Sequence, residues 1–432
     1  MRITVKTVVV GSVFGLYSLS LLAMEPAKFG GLTFLPVLEF GVAGIYQKNQ
    51  AFGSKSSFYG YPIDKDGDRV EGYAKYGMGF SFPLVEDKIV LSGKFSAISA
   101  LTRGNSDGLG YTYDNPTDTD WEDGYLDLTY FNLLGFDSIG VSYGRQNFSV
   151  SNGFLISEGH VDQGHEAGYW LGARKAFDTA FIVRVNRGSW HFDGFSLKTK
   201  ADVDAVQYKE RIEINGGNAQ YDLASGGHLG FMHLDVTDDQ LKTRDGLAVS
   251  DVRMINISLP GVEQLKTSAE YVWQENSNIK SHSWYAGATY TFFSAPWAPD
   301  LTYRYSAFSK NYDSLLYGYG GDLGTWVQGE IVGNSMLFNT NQRTSMIKFG
   351  LHPSEALTAG IAYYDFSFYE KPEGVSHSEF AKETNLFIDW VPNNNVAIGA
   401  VMGMGKPGEG AKEYLGSNST SYLLETYVVY SF

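Results

Sequence analysis

Cysteine is absent from the 432-residue chain, and proline is scarce beside glycine, at 12 residues against 50. The lack of cysteine excludes catalytic thiols, disulfides and thiolate metal sites, and it fits an oxidising compartment. Charged residues make up only 19% of the chain, and the formal net charge is −15. Because a nucleic acid needs a basic surface, we expect no nucleic-acid partner.

Long apolar runs are also missing, with one exception at the N-terminus. Arg2 and Lys6 precede an apolar stretch from Val8 to Leu22, and Ala23 is a small residue suited to a cleavage site. That stretch has about 15 residues, short of the ~20 that a spanning helix needs. We therefore predict a signal peptide over 1–23, rather than a membrane anchor, followed by a single domain over 24–432.

Aromatic residues are abundant, at 15% of the chain, and they fall into short alternating segments separated by turn residues. In IVLSGKFSA (89–97), for example, apolar residues alternate with Ser and Lys. We count about 18 such segments of about 10 residues each, the length of tilted membrane strands. A soluble β-sandwich would also alternate, but polar and ionisable residues recur on one face as in a wet interior, and aromatics gather at segment ends. The pattern predicts an all-β protein, a transmembrane antiparallel β-barrel of about 18 strands.

The C-terminus continues this pattern to its last residue. Tyr422, Leu424, Thr426, Val428 and Tyr430 alternate with a second face that contains Glu425, and the chain stops at Phe432. A closed barrel leaves no free edge, so its last strand must run its full length to pair with its first. A terminal Phe after such a strand also resembles the signal that outer-membrane barrels present to their insertion machinery.

Several polar segments are candidates for chemistry. Residues 158–166 place Glu158, His160, Asp162, His165 and Glu166 close together, which raises a divalent-metal site, although a solvated loop or polar constriction explains them as well. DKDGD (64–68) lacks the later bidentate Glu of a calcium loop, and the acidic stretch 106–124 is interpreted as a long solvated loop. We expect no metal and no cofactor.

Enzymatic signatures are weak. The sequence has no GxSxG and no HExxH, which leaves only a hydrolase assembled from separate strands, with His191, His228 and His233 available. We therefore expect no enzymatic activity. The long connections 49–69, 102–124 and 309–324 are candidate lids.

Basic residues opposite the apolar faces are more informative. A charge that faces lipid at mid-depth costs roughly 2–4 kcal/mol, so these side chains should point into the lumen, where Arg and Lys favour anions. They could instead pair with Asp127, Glu213, Glu270 and Asp389 to hold the interior rigid. Arg145 shares its parity with apolar neighbours, so it requires a bulge or a strand end. The set is Lys94, Arg174, Arg184, Arg211, Lys266, Arg304 and Lys348.

Several segments resemble the alginate-export family of outer-membrane barrels. They are GRQNFSVSNGFLIS (144–157), FDGFSL (192–197), GTWVQGEIVGN (324–334) and LHPSEALTAGIAYYDFSFYE (351–370), followed by the closing strand. The resemblance implies an 18-stranded monomeric barrel whose basic lumen passes a polyuronate such as alginate. It places Arg145 and Asp193 in matched motifs, and Phe154 stands where relatives have Arg.

Together these features predict a channel in the bacterial outer membrane for an anionic polysaccharide or its oligosaccharides, with no preference between export and uptake. The expected partners are that polymer, membrane lipid, lipopolysaccharide and the barrel insertion machinery. A general or sugar-selective porin is the first alternative, and it would lack a net positive lumen. A barrel hydrolase is the second, and an adhesin barrel with a plugged interior is the third.

Overall fold

The computed structural model describes residues 27–432 apart from 106, 111, 113, 161–163, 200–210, 241, 260 and 319–325. The predicted signal peptide therefore lies outside the described residues. No helix among the residues described is long and apolar enough to cross a membrane.

Antiparallel strands account for most of the described chain. Strand β1 is a three-residue segment that pairs with the start of β2, and strands β2 to β19 form the barrel. The strands are β1 Ala27–Phe29, β2 Leu32–Lys48, β3 Gly67–Val85, β4 Ile89–Gly104, β5 Thr117–Leu133, β6 Phe136–Gln146, β7 Phe177–Arg187, β8 Trp190–Lys198, β9 Ile212–Asp222, β10 His228–Asp239, β11 Leu247–Leu259, β12 Val262–Glu275, β13 Lys280–Thr291, β14 Asp300–Phe308, β15 Gln342–Ser354, β16 Leu357–Phe368, β17 Glu379–Asn393, β18 Val396–Pro407 and β19 Ser421–Ser431.

The barrel closes between its last strand and β2. Residues 422–431 of β19 pair antiparallel with residues 39–48 of β2, from Tyr422 opposite Lys48 to Ser431 opposite Glu39. The strands β2 to β19 thus form a closed 18-stranded barrel, as predicted. The alternation along β19 is also confirmed, because Tyr422, Leu424 and Val428 are exposed on the outside. The other face of this strand points into the lumen and is buried.

The outer surface carries an apolar belt for lipid. Large apolar side chains on successive strands are more than a third exposed, as expected of residues that contact acyl chains rather than a protein core. They include Leu126, Val141, Phe231, Leu301, Ile347, Ile361, Leu386, Ile388 and Val428.

Connections at the two ends of the barrel differ in length. One end has tight turns such as 134–135, 355–356 and 394–395, while the other has long connections such as 147–176 and 309–341. This asymmetry was expected and identifies the long-loop end as the extracellular side. The interpretation of 106–124 as one loop was wrong, because residues 117–124 already belong to β5.

Register shifts interrupt the hydrogen-bonded strand pairing beside charged residues. The register of β6 and β7 shifts between Gly144 and Gln146, and β6 ends at Gln146, so Arg145 lies where the expected bulge or strand end is present. A second shift between Ser96 and Ala97 makes Glu122 and Asp123, adjacent on β5, both buried toward the lumen. Such bulges re-aim side chains at the cost of local pairing.

Candidate pore constriction

The third connection at the extracellular end, L3 (residues 147–176), folds into the barrel rather than over it. Phe154, Leu155 and Ile156 are at most 2% exposed and pack on apolar residues of β7 to β11, such as Ile182 and Leu234. Phe154 lies where the resemblance implies Arg. Its ring contacts those of Tyr285 and Trp326 at centroid distances of 5.0 and 4.5 Å. L3 thus fills one side of the lumen.

The seventh connection at the extracellular end, L7 (residues 309–341), occupies the other side. Its helical segment Gly329–Leu337 is buried along its whole length. Ile331, Val332 and Met336 belong to the apolar cluster that includes Ala43 of β2 and Val401 of β18. Because the segment has apolar neighbours on the barrel wall, it is a packed part of the interior.

The two loops contact each other directly. Residues 156 and 316 form a parallel β-bridge, with Ser157 N donating to Leu316 O at 2.8 Å and Leu316 N donating to Leu155 O at 3.0 Å. Tyr169 Oη donates to Asn334 O at 2.8 Å. L3 and L7 therefore form one layer across the lumen.

Glutamates on the wall hold this layer by its backbone. Glu71 of β3 accepts N–H groups of Trp170 and Leu171 at 2.8 and 3.0 Å. An inserted loop cannot satisfy its backbone donors within a strand ladder, and a carboxylate is a strong acceptor for them. The two successive donors identify Glu71 as a clamp on L3.

Two more glutamates repeat this arrangement. Glu122 of β5 accepts from the N–H groups of residues 175 and 176 in L3, at 2.8 and 3.3 Å. Glu383 of β17 accepts from those of residues 331 and 332 in L7, at 2.9 and 2.8 Å. We call Glu71, Glu122 and Glu383 the wall clamps.

Arg304 and Arg174 were both predicted to line the solute path, but the L3 and L7 loops bury them. Arg304 is 1% exposed, lies 4.4 Å from the ring centroid of Trp326 and donates to Gln328 Oε1 at 3.4 Å. Arg174 belongs to L3 itself and donates to Glu166 O at 2.8 Å and to Asp118 Oδ2 at 2.9 Å. Their surroundings are those of residues that anchor loops.

Four predicted basic residues do face the lumen and are half-buried. They are Lys94, Arg184, Lys266 and Lys348, on β4, β7, β12 and β15. Lys94 pairs with Asp123 at 2.8 Å, and Arg184 donates to Ser142 Oγ at 3.4 Å.

Asp193 also faces the lumen. It accepts from Asn218 Nδ2 at 2.8 Å and lies opposite Arg184 in the ladder between β7 and β8.

The remaining predicted residues lie elsewhere. Arg145 is near the outer end of β6, with Nη1 3.5 Å from Asp178 Oδ1. Arg211 is exposed at the outer rim beside Asp238, at 3.6 Å, and Glu213 pairs with Lys198 at 3.4 Å. Ile212 and Ile214 take the lumen-facing positions on that strand, so Arg211 and Glu213 have the opposite parity from the one assigned.

Carboxylates are at least as frequent in the lumen as basic groups. The lumen-facing basic residues of the described strands include Arg69, Lys75, Lys94, Arg184, Arg253, Lys266, Arg304 and Lys348. The acidic ones include Glu39, Glu71, Glu122, Asp123, Asp127, Asp193, Asp251, Glu270, Asp300, Glu383, Asp389 and Glu425. Several form ion pairs, such as Arg69–Glu71 at 3.2 Å and Arg253–Asp251 at 2.7 Å. The lumen is mixed in sign rather than uniformly basic.

Acidic groups gather where L7 meets the wall. Strands β16 to β19 and β2 supply Glu383, Asp389, Glu425 and Glu39 to the lumen, and none of their lumen-facing residues is basic. L7 adds Glu330, which is buried. Burial, together with the charges of Glu383 and Asp389, raises the pKa of the Glu330 carboxyl to about 8.

Among the described residues, the other sequence candidates form separate pairs rather than a catalytic or metal centre. His160 and Glu166 form a buried pair at 2.8 Å, but across the described residues no three His, Asp or Glu side chains come close enough to hold a metal ion. Asp162 lies outside the described residues. Ser151 Oγ is 2.8 Å from His228 Nε2, while the neighbouring Asp222 contacts His191 instead, at 3.0 Å.

Sequence reasoning missed Glu71, Glu383 and Arg253. Each stands on the polar face of an alternating segment, so parity could have identified them as lumen-facing. Parity could not have shown which loop their side chains would meet. Of the candidate lids, 309–324 overlaps L7, whereas the sequence indicates L3 only as a polar segment.

No protein-family model matches the sequence, and no curated protein matches it. Solved structures do match over nearly the whole chain. Acinetobacter baumannii OccAB2 is 10% identical with a TM-score of 0.59, and Pseudomonas aeruginosa OpdQ is 10% identical with a TM-score of 0.56. Pseudomonas aeruginosa OpdK, solved with vanillate, is 10% identical with a TM-score of 0.53. Each alignment covers 92% of this chain and 98% of the other.

At this identity the likeness shows a shared fold. The neighbours are outer-membrane porins, and they do not support the alginate-export family in particular. The closed barrel and its apolar belt agree with that comparison. The chain therefore has the fold of an 18-stranded porin and lies in the bacterial outer membrane.

Proposed function

We propose that the protein is a passive channel for small polar organic solutes, filtered by the L3–L7 layer. The observation that carries this proposal is the wall clamps, which hold both loops inside the lumen. A loop held by charge-assisted hydrogen bonds narrows a pore permanently rather than by chance contact. Transport then needs no cofactor, because mass action and lumenal electrostatics drive it.

The charges that remain half-exposed suggest the class of solute. Lys94, Arg184 and Lys348 favour an anionic group, while Glu39 and Asp127 on other strands favour a cationic one. Polar groups of both signs that line a narrow path orient solutes with separated charges or a single carboxylate. Because OpdK was solved with vanillate, that small aromatic carboxylate is a suitable first probe.

A polyuronate channel is the second candidate. It is favoured by the four half-buried basic residues Lys94, Arg184, Lys266 and Lys348, which face the lumen at well-separated strands. The many carboxylates on the same faces oppose it, since they repel a polyanion. The inserted loops also oppose it, because a threading polymer needs a continuous wide path.

Planar-bilayer recording separates the two candidates. The purified barrel is inserted across a salt gradient, and the reversal potential is read with vanillate and then with oligouronates of increasing length. We expect vanillate to block the current in proportion to its concentration. We expect no block by oligouronates that becomes stronger as they become longer. Block that strengthens with each added uronate unit would select the polyuronate channel, and absence of any conductance would contradict both candidates.

A further inference from the structure

Two lysines face each other on the lipid side of the barrel. Lys382 of β17 and Lys406 of β18 are direct cross-strand partners, and both are exposed on the outer face. Opposite residues on one face of an antiparallel pair have Cβ atoms about 5 Å apart, and like charges in that position are destabilising. An anion bound between the two ammonium groups would offset that repulsion.

Across the described residues, no carboxylate lies within ion-pair distance of either ammonium group. Asp365 lies opposite Lys382 on its other side, in β16, without forming an ion pair, and Glu409 beyond the end of β18 is held by Lys412 at 2.6 Å. The positive charge between Lys382 and Lys406 is therefore available to a partner.

The depth of Lys382 and Lys406 in the membrane indicates which kind of partner binds them. Below Lys382 on the same face lie Leu386, Ile388 and Trp390, which are 44–49% exposed. Trp390 is eight residues away, about 27 Å along a strand, and at the usual tilt this corresponds to about 20 Å of depth. The lysines thus lie at the outer margin of the apolar belt, level with the headgroups of the outer leaflet.

Neighbouring strands extend the surface. Tyr422 of β19 is 47% exposed and lies opposite Lys48, the last residue of β2. Lys48 is three strands across and two residues along from Lys382, about 16 Å at the usual strand spacing and rise. A tyrosine with basic groups on either side suits a lipid whose sugar headgroup carries more than one phosphate.

We propose that Lys382 and Lys406, with Lys48 and Tyr422, form a binding site for the phosphorylated glycolipid of the outer leaflet. The phosphate would lie between the two ammonium groups and the acyl chains would run down the belt over Leu386 and Ile388. The site is on the outside of the barrel and is independent of the channel proposed above.

The test measures lipid binding to the full purified chain in detergent. Binding is monitored by native mass spectrometry while the lipid is titrated. The ligands are bisphosphorylated lipid A, the same lipid without phosphates, and phosphatidylglycerol. The variant is K382Q/K406Q. The matched control is K280Q, since Lys280 is also outward-facing at the outer end of a strand but already has Glu275 at 3.7 Å.

We expect the double variant to bind bisphosphorylated lipid A roughly tenfold or more weakly, since two basic groups near an anionic surface are lost, with K280Q unchanged. K406E, which places a carboxylate opposite Lys382, should lose binding as well while the barrel stays folded. Unchanged single-channel conductance in each variant shows that the barrel is intact. Equal binding by K382Q/K406Q and the wild type would overturn the proposal, as would equal binding of phosphatidylglycerol and bisphosphorylated lipid A.

Discussion

A carboxylate that accepts two successive backbone N–H groups is the smallest unit that decides where an inserted loop sits. Glu383 does this for residues 331 and 332 of L7. Each buried donor left without an acceptor costs about 1–3 kcal/mol, so E383A, which orphans two donors, should weaken L7 docking by about 2–6 kcal/mol. We expect single-channel currents that are larger and noisier than those of the wild type.

The control for this change is E379A. Glu379 begins the same strand but is exposed at its outer end. Its variant should conduct as the wild type does. If E383A records are indistinguishable from those of E379A, the clamp does not hold the loop.

Replacing Arg304 and replacing Lys348 should change different properties of the channel. Arg304 is buried against Trp326, and a desolvated cation–π contact is worth about 2 kcal/mol, so R304M should loosen L7 and raise current noise. Lys348 is half-buried on the lumen face, so K348M should shift the reversal potential toward cation selectivity without added noise. Added current noise in K348M, or a shifted reversal potential without added noise in R304M, would contradict these roles.

At the scale of whole elements, L3 and L7 behave as one layer because their aromatic residues interlock. The rings of Phe154 and Trp326 are 4.5 Å apart, and such a pair contributes about 0.5–1.5 kcal/mol beyond its buried area. F154A and W326A should each increase conductance, and the double variant should add less than the sum of the two. Strict additivity would mean that the loops move independently.

The docking of L7 should also depend on pH through Glu330. The pKa of its carboxyl is raised to about 8, chiefly by burial and further by Glu383 and Asp389. A raised folded-state pKa means that the docked loop is most stable below the ordinary carboxyl pKa and loses that stability as pH rises through about 8. Open probability should therefore rise between about pH 5 and about pH 8 and level off above that, and E330Q should be flat over the same range.

The elements were more predictable from sequence than the site. Alternation alone predicted the outward face of β19, and the parity of Arg145 required a bulge or a strand end, both of which are present near Gln146. The clamps could not be predicted, because Glu71 on β3 meets Trp170 about a hundred residues away in a loop without periodicity. Arg304 faced the lumen as parity required, but parity does not show whether a loop covers the residue.

For the whole molecule, the net charge of −15 is not confined to loops. Acids on the lumen faces of β16 to β19 and β2, such as Glu383 and Glu425, have no lumen-facing basic residue on those strands. Basic residues such as Lys94 and Arg184 lie on other strands, where acids such as Asp123 and Asp193 accompany them, so one sector of the lumen is acidic and the rest is mixed. Such a lumen selects among small solutes by orientation, whereas a polyanion would meet repulsion over part of the wall.

The most direct test of this account replaces residues 326–338 of L7 with a short Gly-Ser linker and compares single-channel conductance with the wild type. The account predicts a small wild-type conductance that rises several-fold when the segment is removed, because a packed layer no longer narrows the lumen. It also predicts that vanillate block is lost in the shortened chain. Equal conductance in both proteins would contradict it, because the L3–L7 layer would then not be the constriction.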